Sequence, residues 1–399
     1  MGSWQNVAAA AGLLGADGRP AATVFARMSA LATESGAINL GQGFPDTDGP
    51  PELLEAAVAA IRNGANQYPP VRGIPELRTA IVEHQWRHYG LKVDPDTEVV
   101  VTAGATEALT ATVIALCSPG DEVIVLEPFY DSYAAAIAIA GAVRRVVPLR
   151  WPDYRLDGDL LAAAVTDRTR LILINTPHNP TGRVLDRAEL ELVANVARAK
   201  DLLVVTDEVY EHLAFAPHTH VPLATLDGMA DRTITISSAG KTFSVTGWKI
   251  GWIHARPDLA DAIAAVKQFL TFVNGSPFQP AVAQGLLLPE ARFREIAADL
   301  QARSEMLTSG LLAAGFDVRP SDGTYFVIAD ASPLGYPDGT ALCLDLPRLA
   351  GVVAVPVQAF HDDPTAPSSL VRFAACKRPE VIAEAVRRLS GLAERRGRE

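Results

Sequence analysis

Between residues 96 and 255 the chain repeats one pattern: a short apolar run, a polar turn, then a longer stretch of helical character. The runs are "EVVVTAG", "DEVIVLEPFY", "RLILINTPHNP", "LLVVTDEVY" and "TITISSAGK". Their apolar hearts are rich in Val, Ile and Leu and do not alternate with polar residues. A strand with one wet face alternates, whereas a strand covered on both faces does not. With helical segments between them, the runs predict a mostly parallel α/β sheet covered on both sides. Ligands of such sheets bind beyond the carboxyl ends of the strands. The residues that follow the runs are therefore the informative ones: Gly104, Tyr130, Asn179, Asp207 and Lys241.

After about residue 285 the texture changes. "EARFREIAADLQARSEMLTSGLLAAG" predicts a long amphipathic helix closing on Gly315. The short runs "TYFVIAD", "GVVAVP" and "LVRFAAC", then a helix near "EVIAEAVRRLSGLAE", predict an α+β unit. The first 40 residues are expected to pack with it, which makes residues 41–285 a large domain and residues 1–40 and 286–399 a small one. The tail "RRGRE" is expected to fray. The run "YAAAIAIAGAV" from Tyr133 is about half the roughly 20 residues of a membrane span and reads as a buried helix.

Composition removes several classes of function. A formal net charge of −11 provides no basic footprint for nucleic acid and disfavours an anionic membrane surface. Cys117, Cys343 and Cys376 lie far apart with no CxxC pair, as expected of reduced thiols in the cytoplasm. The apolar run near the N-terminus has no basic residue before it, so a secretory leader is not expected.

The chemistry gathers at the strand ends. Asp207 closes an apolar run, where a partly desolvated carboxylate needs a cation or a strong donor. A helix cap or structural ion pair is the plainer reading of Asp207 alone. Tyr210 stands three residues on. In "NTPHNPTG" the prolines and glycine stiffen a turn that holds the Asn179 amide, both donor and acceptor. "TAGATEAL" opens a helix whose free N–H groups at Ala105 and Thr106 make an anion site. Tyr130 offers a ring to lie on a planar ligand, or simply a core side chain.

"SSAGKTFSVTGWKIGW" sets Lys241 and Lys249 among small and aromatic residues with no carboxylate between them. A lysine in a desolvated pocket loses its proton readily and forms a Schiff base with a carbonyl. Ser238 and the second ammonium would then serve a phosphate. A Schiff-base lysine, an acid for a ring nitrogen, a ring stacker and a phosphate cup are the parts of a pyridoxal 5'-phosphate site.

"NLGQGFPD", "NQYPPVRGIPELR", "TAGATEAL", "EPFYDSY", "NTPHNPTG", "TDEVYEHL", "SSAGKTFSVTGWKIGW" and "LVRFAACKR" occur in this order over residues 39–378. In that ordered set the chain resembles the fold-type I, pyridoxal-phosphate-dependent class I/II aminotransferases. Within them it is most similar to the bacterial N-succinyldiaminopimelate aminotransferase and kynurenine aminotransferase-like branch. The resemblance implies an aspartate aminotransferase-like fold, with a mostly parallel central sheet in the large domain and a smaller α+β domain.

It also implies roles. Lys241 matches the lysine that forms the internal aldimine and later shuttles the proton, and Asp207 matches the acid paired with the pyridine nitrogen. Tyr210 and Asn179 match the partners of the phenolic oxygen, and Tyr130 the ring stacker. Ala105, Thr106, Ser238 and Lys249 match the phosphate cup, with Lys249 where relatives often have Arg. Arg372, with Asn179 and Gly43 nearby, matches the grip and closing loop for the substrate carboxylate. Tyr68 matches a tyrosine that reaches the neighbouring subunit's cofactor, which implies a homodimer with shared sites. The implied reaction is ping-pong transfer of the amino group from an L-α-amino acid to a 2-oxo acid, with 2-oxoglutarate the expected acceptor. The alternative with the same cofactor is a C–S β-lyase acting on cysteine S-conjugates. Ala374, Ala375 and Val245 depart from bulkier residues frequent in relatives, by repacking or by reshaping the substrate pocket.

Other signals are plainer. His84 and His88 stand four apart on a predicted helix, a spacing that suits a metal, but no third ligand is evident and the helix surface is the simpler reading, with no metal expected. His218 and His220 fall in a Pro-flanked loop and are expected to be exposed. A nicotinamide-binding fold fails because "GQGFPD" lacks a third glycine and a preceding strand. A regulator's effector module is disfavoured because the first 40 residues leave no room for a DNA-binding helix-turn-helix.

Overall fold

The computed structural model describes residues 3–15, 17–363 and 365–392; the tail expected to fray, residues 395–399, lies outside them. The chain opens with α1 (Ser3–Ala10), α2 (Val24–Ser35), β1 (Ile38–Asn39), α3 (Pro51–Arg62) and α4 (Pro75–Tyr89). Next come β2 (Val99–Ala103), α5 (Gly104–Leu116), β3 (Glu122–Glu127), α6 (Asp131–Ile139) and β4 (Val143–Pro148). With β5 (Thr169–Asn175), β6 (Leu203–Asp207), β7 (Thr233–Ser238) and β8 (Ile250–His254) they build a seven-stranded sheet in the order β2-β8-β7-β6-β5-β3-β4. The five runs read from the sequence are β2, β3, β5, β6 and β7.

Neighbouring residues of these strands serve different cores, which is why the runs do not alternate. Val123 and Val125 pack with Leu171, Leu173, Val205 and α5 on one face. Ile124 and Leu126 pack with Ile172, Ile174 and Val204 on the other, beneath the helix Arg187–Ala199. That helix starts with a capping box in which Asp186 and Glu189 exchange side-chain and backbone hydrogen bonds.

Neighbouring strands run parallel except at β8, which is antiparallel to both β7 and β2. The cause is local. Between Ser238 and Ile250 the chain forms only a four-residue helix, Ala239–Thr242, and a 3₁₀ turn, Thr246–Trp248. A parallel return needs a full crossover helix. The run from Tyr133 is only partly the helix expected: α6 stops at Ile139, and Val143 begins the edge strand β4.

The remaining strands are β9 (Asp317–Arg319), β10 (Phe326–Asp330), β11 (Val352–Val353), β12 (Val355–Pro356) and β13 (Leu370–Ala374). They form a four-stranded antiparallel sheet, β12-β13-β10-β9, while β11 pairs in parallel with β1. The long helix Glu290–Ala313 contributes Leu307 and Leu311 to their core, where α2 adds Met28 and Ala32. α1 lies apart from this core, against α6. Among the described residues no helix is long and apolar enough to cross a membrane.

Candidate active site

The carboxyl ends of β5, β6 and β7 open onto a cavity of about 460 Å³, and every residue expected at the site except Tyr68 lines it. Gly43, Ala105, Thr106, Tyr130, Asn179, Asp207, Tyr210, Ser238, Lys241, Lys249 and Arg372 are brought together from positions spread over most of the chain. Tyr68 stands elsewhere, 81% exposed, its ring edge-on to Phe272.

The antiparallel turn of β8 explains the two lysines. Lys241 lies just past the end of β7, and Lys249 immediately precedes β8, so the reversal returns it to the same rim. Lys249 holds a left-handed backbone, φ 54° and ψ 46°, and its carbonyl accepts from Asn274 Nδ2 at 2.8 Å. That conformation costs a non-glycine residue about 1–2 kcal/mol. Its ammonium packs against Gly104, 3.3 Å from where a Cβ would sit. Gly104 itself has a φ of +73°, which glycine adopts without a steric clash. The result is an ammonium beside the first turn of α5, whose N–H groups have no acceptor within the helix.

Asp207, in the same cavity, is differently held. Its Oδ2 accepts from the Tyr133 hydroxyl at 2.6 Å and its Oδ1 from Val209 N–H at 3.4 Å. Burial raises its carboxyl above the ordinary range, opposed by the Tyr133 bond, the Val209 N–H and the charge of Lys241. A buried carboxylate so placed gains from a cation. Burial likewise pulls the Lys241 ammonium below the usual lysine range; Lys249 and Arg372 act in the same direction, while Cys376 and Asp207 oppose it. Its Nζ lies 5.8 Å from the centre of the Tyr210 ring. Burial pushes the phenol of Tyr210 up and that of Tyr130 up to about 12.

Arg372 reaches the cavity from β13, in the smaller sheet. Its Nη1 donates to Asn179 Oδ1 and its Nη2 to the Gly41 carbonyl, both at 2.9 Å. Phe326 and Phe360 flank the guanidinium, at 4.0 and 4.6 Å from its carbon. Burial lowers it to about 10, so it stays charged at neutral pH. Its Nε is buried without a hydrogen-bond partner among the described residues, a donor that a bound carboxylate would satisfy. Gly43 touches the same group: a Cβ there would sit 2.6 Å from Phe326 Cζ, and its carbonyl accepts from the Tyr325 hydroxyl at 2.5 Å.

Two contributors escape the sequence reading. Tyr133 supplies the side-chain donor to Asp207. Asn175, in register with Asp207, donates to the Asp207 carbonyl and accepts from Asn179 N–H, both at 2.7 Å, which pins the "NTPHNPTG" turn. A signal for Tyr133 exists: a phenol within an Ala- and Ile-rich run must find a partner once buried.

Of the two readings of Val245, Ala374 and Ala375, the structure favours repacking, and the expectations for His220 and His84 are corrected. Val245, Ala374 and Ala375 are buried and do not line the cavity; Val245 packs with Phe243 and Leu53, and Ala375 sits in the core of the smaller sheet. They act as packing residues. His220 is not exposed but bonds Glu208 at 2.9 Å with its side chain almost wholly covered. His84 is fully buried rather than on a helix surface, and a third imidazole, His212, meets it and His88.

The sequence matches the family described as aminotransferase class I and II over residues 35–389. It is 54% identical to the probable N-succinyldiaminopimelate aminotransferase of Mycobacterium tuberculosis, over 94% of this chain and 97% of that protein. The solved N-succinyldiaminopimelate aminotransferase structure from that organism superposes with a TM-score of 0.91, covering 93% of this chain and 97% of the other at 54% identity. Mouse kynurenine–oxoglutarate transaminase 3 is 36% identical over 90% of this chain and 85% of its own. Aspartate aminotransferase from Thermus thermophilus with maleate superposes with a TM-score of 0.86 at 33% identity, over 94% and 97% of the two chains.

Proposed function

The chain belongs to the class I and II aminotransferase family, and from that premise we propose that it carries pyridoxal 5'-phosphate on Lys241 and moves the amino group of an L-α-amino acid to a 2-oxo acid. The observation that carries the reading is the meeting of Lys241, Asp207, Lys249 and Arg372 around one cavity. The donor set suits the cofactor: a buried carboxylate for a protonated ring nitrogen, and an ammonium at a helix start for a phosphate. When bound, the cofactor supplies an aldehyde that takes the amino group and a ring that draws off the electron pair left when Cα loses its proton.

The protein's own residues do the rest. Lys249, Ser238 and the first turn of α5 would hold the phosphate, and the Tyr130 ring would pack on the cofactor ring. Asp207 would keep a proton on the ring nitrogen, and the Tyr133 hydroxyl holds the Asp207 carboxylate in place and favours its ionised form. Tyr210 and Asn179 donate to the phenolic oxygen. Lys241 would hold the cofactor through its Nζ, and when that amine is free it is placed to take the proton from the substrate Cα. Burial favours the neutral amine that this needs. Arg372 grips the substrate carboxylate and fixes which bond at Cα faces Lys241. The chain around Gly43 closes over it and excludes water. Donor and acceptor would use Arg372 in turn, which suits a ping-pong order in which the amino group waits on the cofactor between them.

The name of the mouse relative supports 2-oxoglutarate as acceptor, and that of the mycobacterial one makes N-succinyldiaminopimelate the first donor to try. We assign the cofactor to a large domain of residues 41–285 and the carboxylate grip to a small domain of residues 1–40 and 286–399, from which α1 departs to pack on α6 of the large domain. We further propose a cytoplasmic homodimer in which Tyr68 serves the partner's phosphate. Its exposure, edge-on to the part-exposed Phe272, supports such an interface.

The test is spectroscopic. Protein loaded with pyridoxal phosphate should lose its visible band with N-succinyldiaminopimelate or kynurenine and regain it with 2-oxoglutarate. Lys241→Ala should do neither. A colourless protein that takes up no vitamer, and is unaltered by Lys241→Ala, would refute the proposal. β-Elimination uses the same cavity, and pyruvate released from a cysteine S-conjugate without any oxo acid would point there instead.

A further inference from the structure

Three imidazoles outside the cavity lining converge from two parts of the chain. His84 and His88 lie one turn apart on α4, their ring centres separated by 4.6 Å. His212 arrives from the segment after β6, two residues past Tyr210, and its Nε2 faces Nε2 of His84 at 2.6 Å. The three ligand nitrogens lie within 4.8 Å of one another. The Phe293 ring closes the cluster from the long helix, with its centre 4.3 Å from that of His212 and 5.1 Å from that of His88.

We propose that His84, His88 and His212 form a binding site for a first-row divalent cation of the Zn²⁺ type, clasping α4 to the segment that carries Tyr210. Independent features support it. His88 Nε2 is buried and has no hydrogen-bond partner among the described residues, a lone pair or N–H that the fold leaves unused. The two facing Nε2 atoms can share only one proton, which a metal ion would replace. Imidazole nitrogens prefer Zn²⁺, Cu²⁺ and Ni²⁺ over Mg²⁺ or Ca²⁺.

Zinc–nitrogen distances of 2.0–2.1 Å place tetrahedral ligand nitrogens about 3.3 Å apart, so the widest separation here closes by about 1.5 Å on binding. Arg87 opposes a cation, but its guanidinium is turned to the carbonyls of Leu286 and Leu287. The negative charge of Glu290 acts on His88 in the opposite sense. Three protein ligands leave the fourth position to water. The low-dielectric wall of Phe293 strengthens the metal–nitrogen bonds.

The experiment uses the holoenzyme, freed of metal with a chelator and titrated with ZnCl₂ near neutral pH, with CoCl₂ as a spectroscopic stand-in. The wild type should take up one ion per chain, show the visible bands of four-coordinate Co²⁺ and melt at a higher temperature with Zn²⁺. His88→Ala and His212→Asn should each weaken uptake by at least about 100-fold, since even outer contacts of metal ligands are worth 10–100-fold. His218→Ala, on an exposed ring, should change nothing. A wild type that binds no Zn²⁺, or binding equally strong in His88→Ala and His212→Asn, overturns the site. Because the readouts are metal uptake and melting, they fail or succeed independently of the aminotransferase reaction.

Discussion

Replacing Tyr133 with Phe removes one oxygen and leaves the ring in place, which isolates the bond to Asp207. Both residues are buried, at 3% and 8% exposure, so solvent neither screens nor replaces that bond. A hydrogen bond to a buried charged group contributes about 1.5–3 kcal/mol. Among the described residues the other donor to the carboxylate is the distant Val209 N–H. The variant apoprotein should therefore lose about 1.5–3 kcal/mol at neutral pH, read by urea unfolding. The sign of the pH dependence is fixed by burial. The Asp207 carboxyl is raised in the folded chain, so ionising it costs folding stability at neutral pH, and that cost vanishes where both states are protonated. Losing Tyr133 raises it further. The gap between variant and wild type should open as pH climbs through the folded value and narrow toward the ordinary aspartate range near 4. In the holoenzyme the more basic carboxylate draws the proton from the ring nitrogen, and kcat/KM should fall on the order of 10- to 100-fold. A variant that unfolds within about 0.5 kcal/mol of wild type at pH 7, with unchanged kcat/KM, would show that Tyr133 does not support Asp207.

Arg372→Lys keeps the charge but loses the planar fork and its bonds to Asn179 and Gly41. KM for the amino donor should rise about 10- to 100-fold with a smaller change in kcat, and an unchanged KM would remove Arg372 from carboxylate binding. Gly43→Ala places a methyl against Phe326, the ring that packs on the Arg372 guanidinium. Overpacking of that kind costs about 1–3 kcal/mol, so a lower melting temperature and roughly tenfold lower kcat/KM are expected, and wild-type behaviour in both would show that the loop accommodates a side chain.

Five of the seven strands of the larger sheet were legible because burial on both faces writes itself into each as a run without alternation, whereas the start of β4 was read as helix and β8 was not read. Asp207 and Asn179 follow such runs, and Lys241 comes soon after one, so position alone marked them for inspection. Tyr133 was not legible in the same way. It reads as the start of an apolar helix, and its partner lies 74 residues away on a different strand. His212 was hidden for the same reason: it stands 128 residues from His84, and nothing in "EVYEHL" announces a neighbour on α4. The Ala375 and Val245 departures could not be weighed from sequence, because whether a side chain faces a cavity or a core depends on packing.

What the amino-acid order determined by itself is local and periodic: which stretches are buried strands, where each ends, and which reactive side chains wait there. Backbone hydrogen bonding and the need to cover apolar surface enforce those features residue by residue. Only the tertiary structure decided which strands are neighbours. The short return after Lys241 turns β8 antiparallel and carries Lys249 back to the helix start, and the smaller sheet delivers Arg372 to Asn179. The same packing brings Tyr133 to Asp207 and His212 to His84. Such contacts come from the joint packing of elements far apart in the chain, and no short stretch of sequence contains that information.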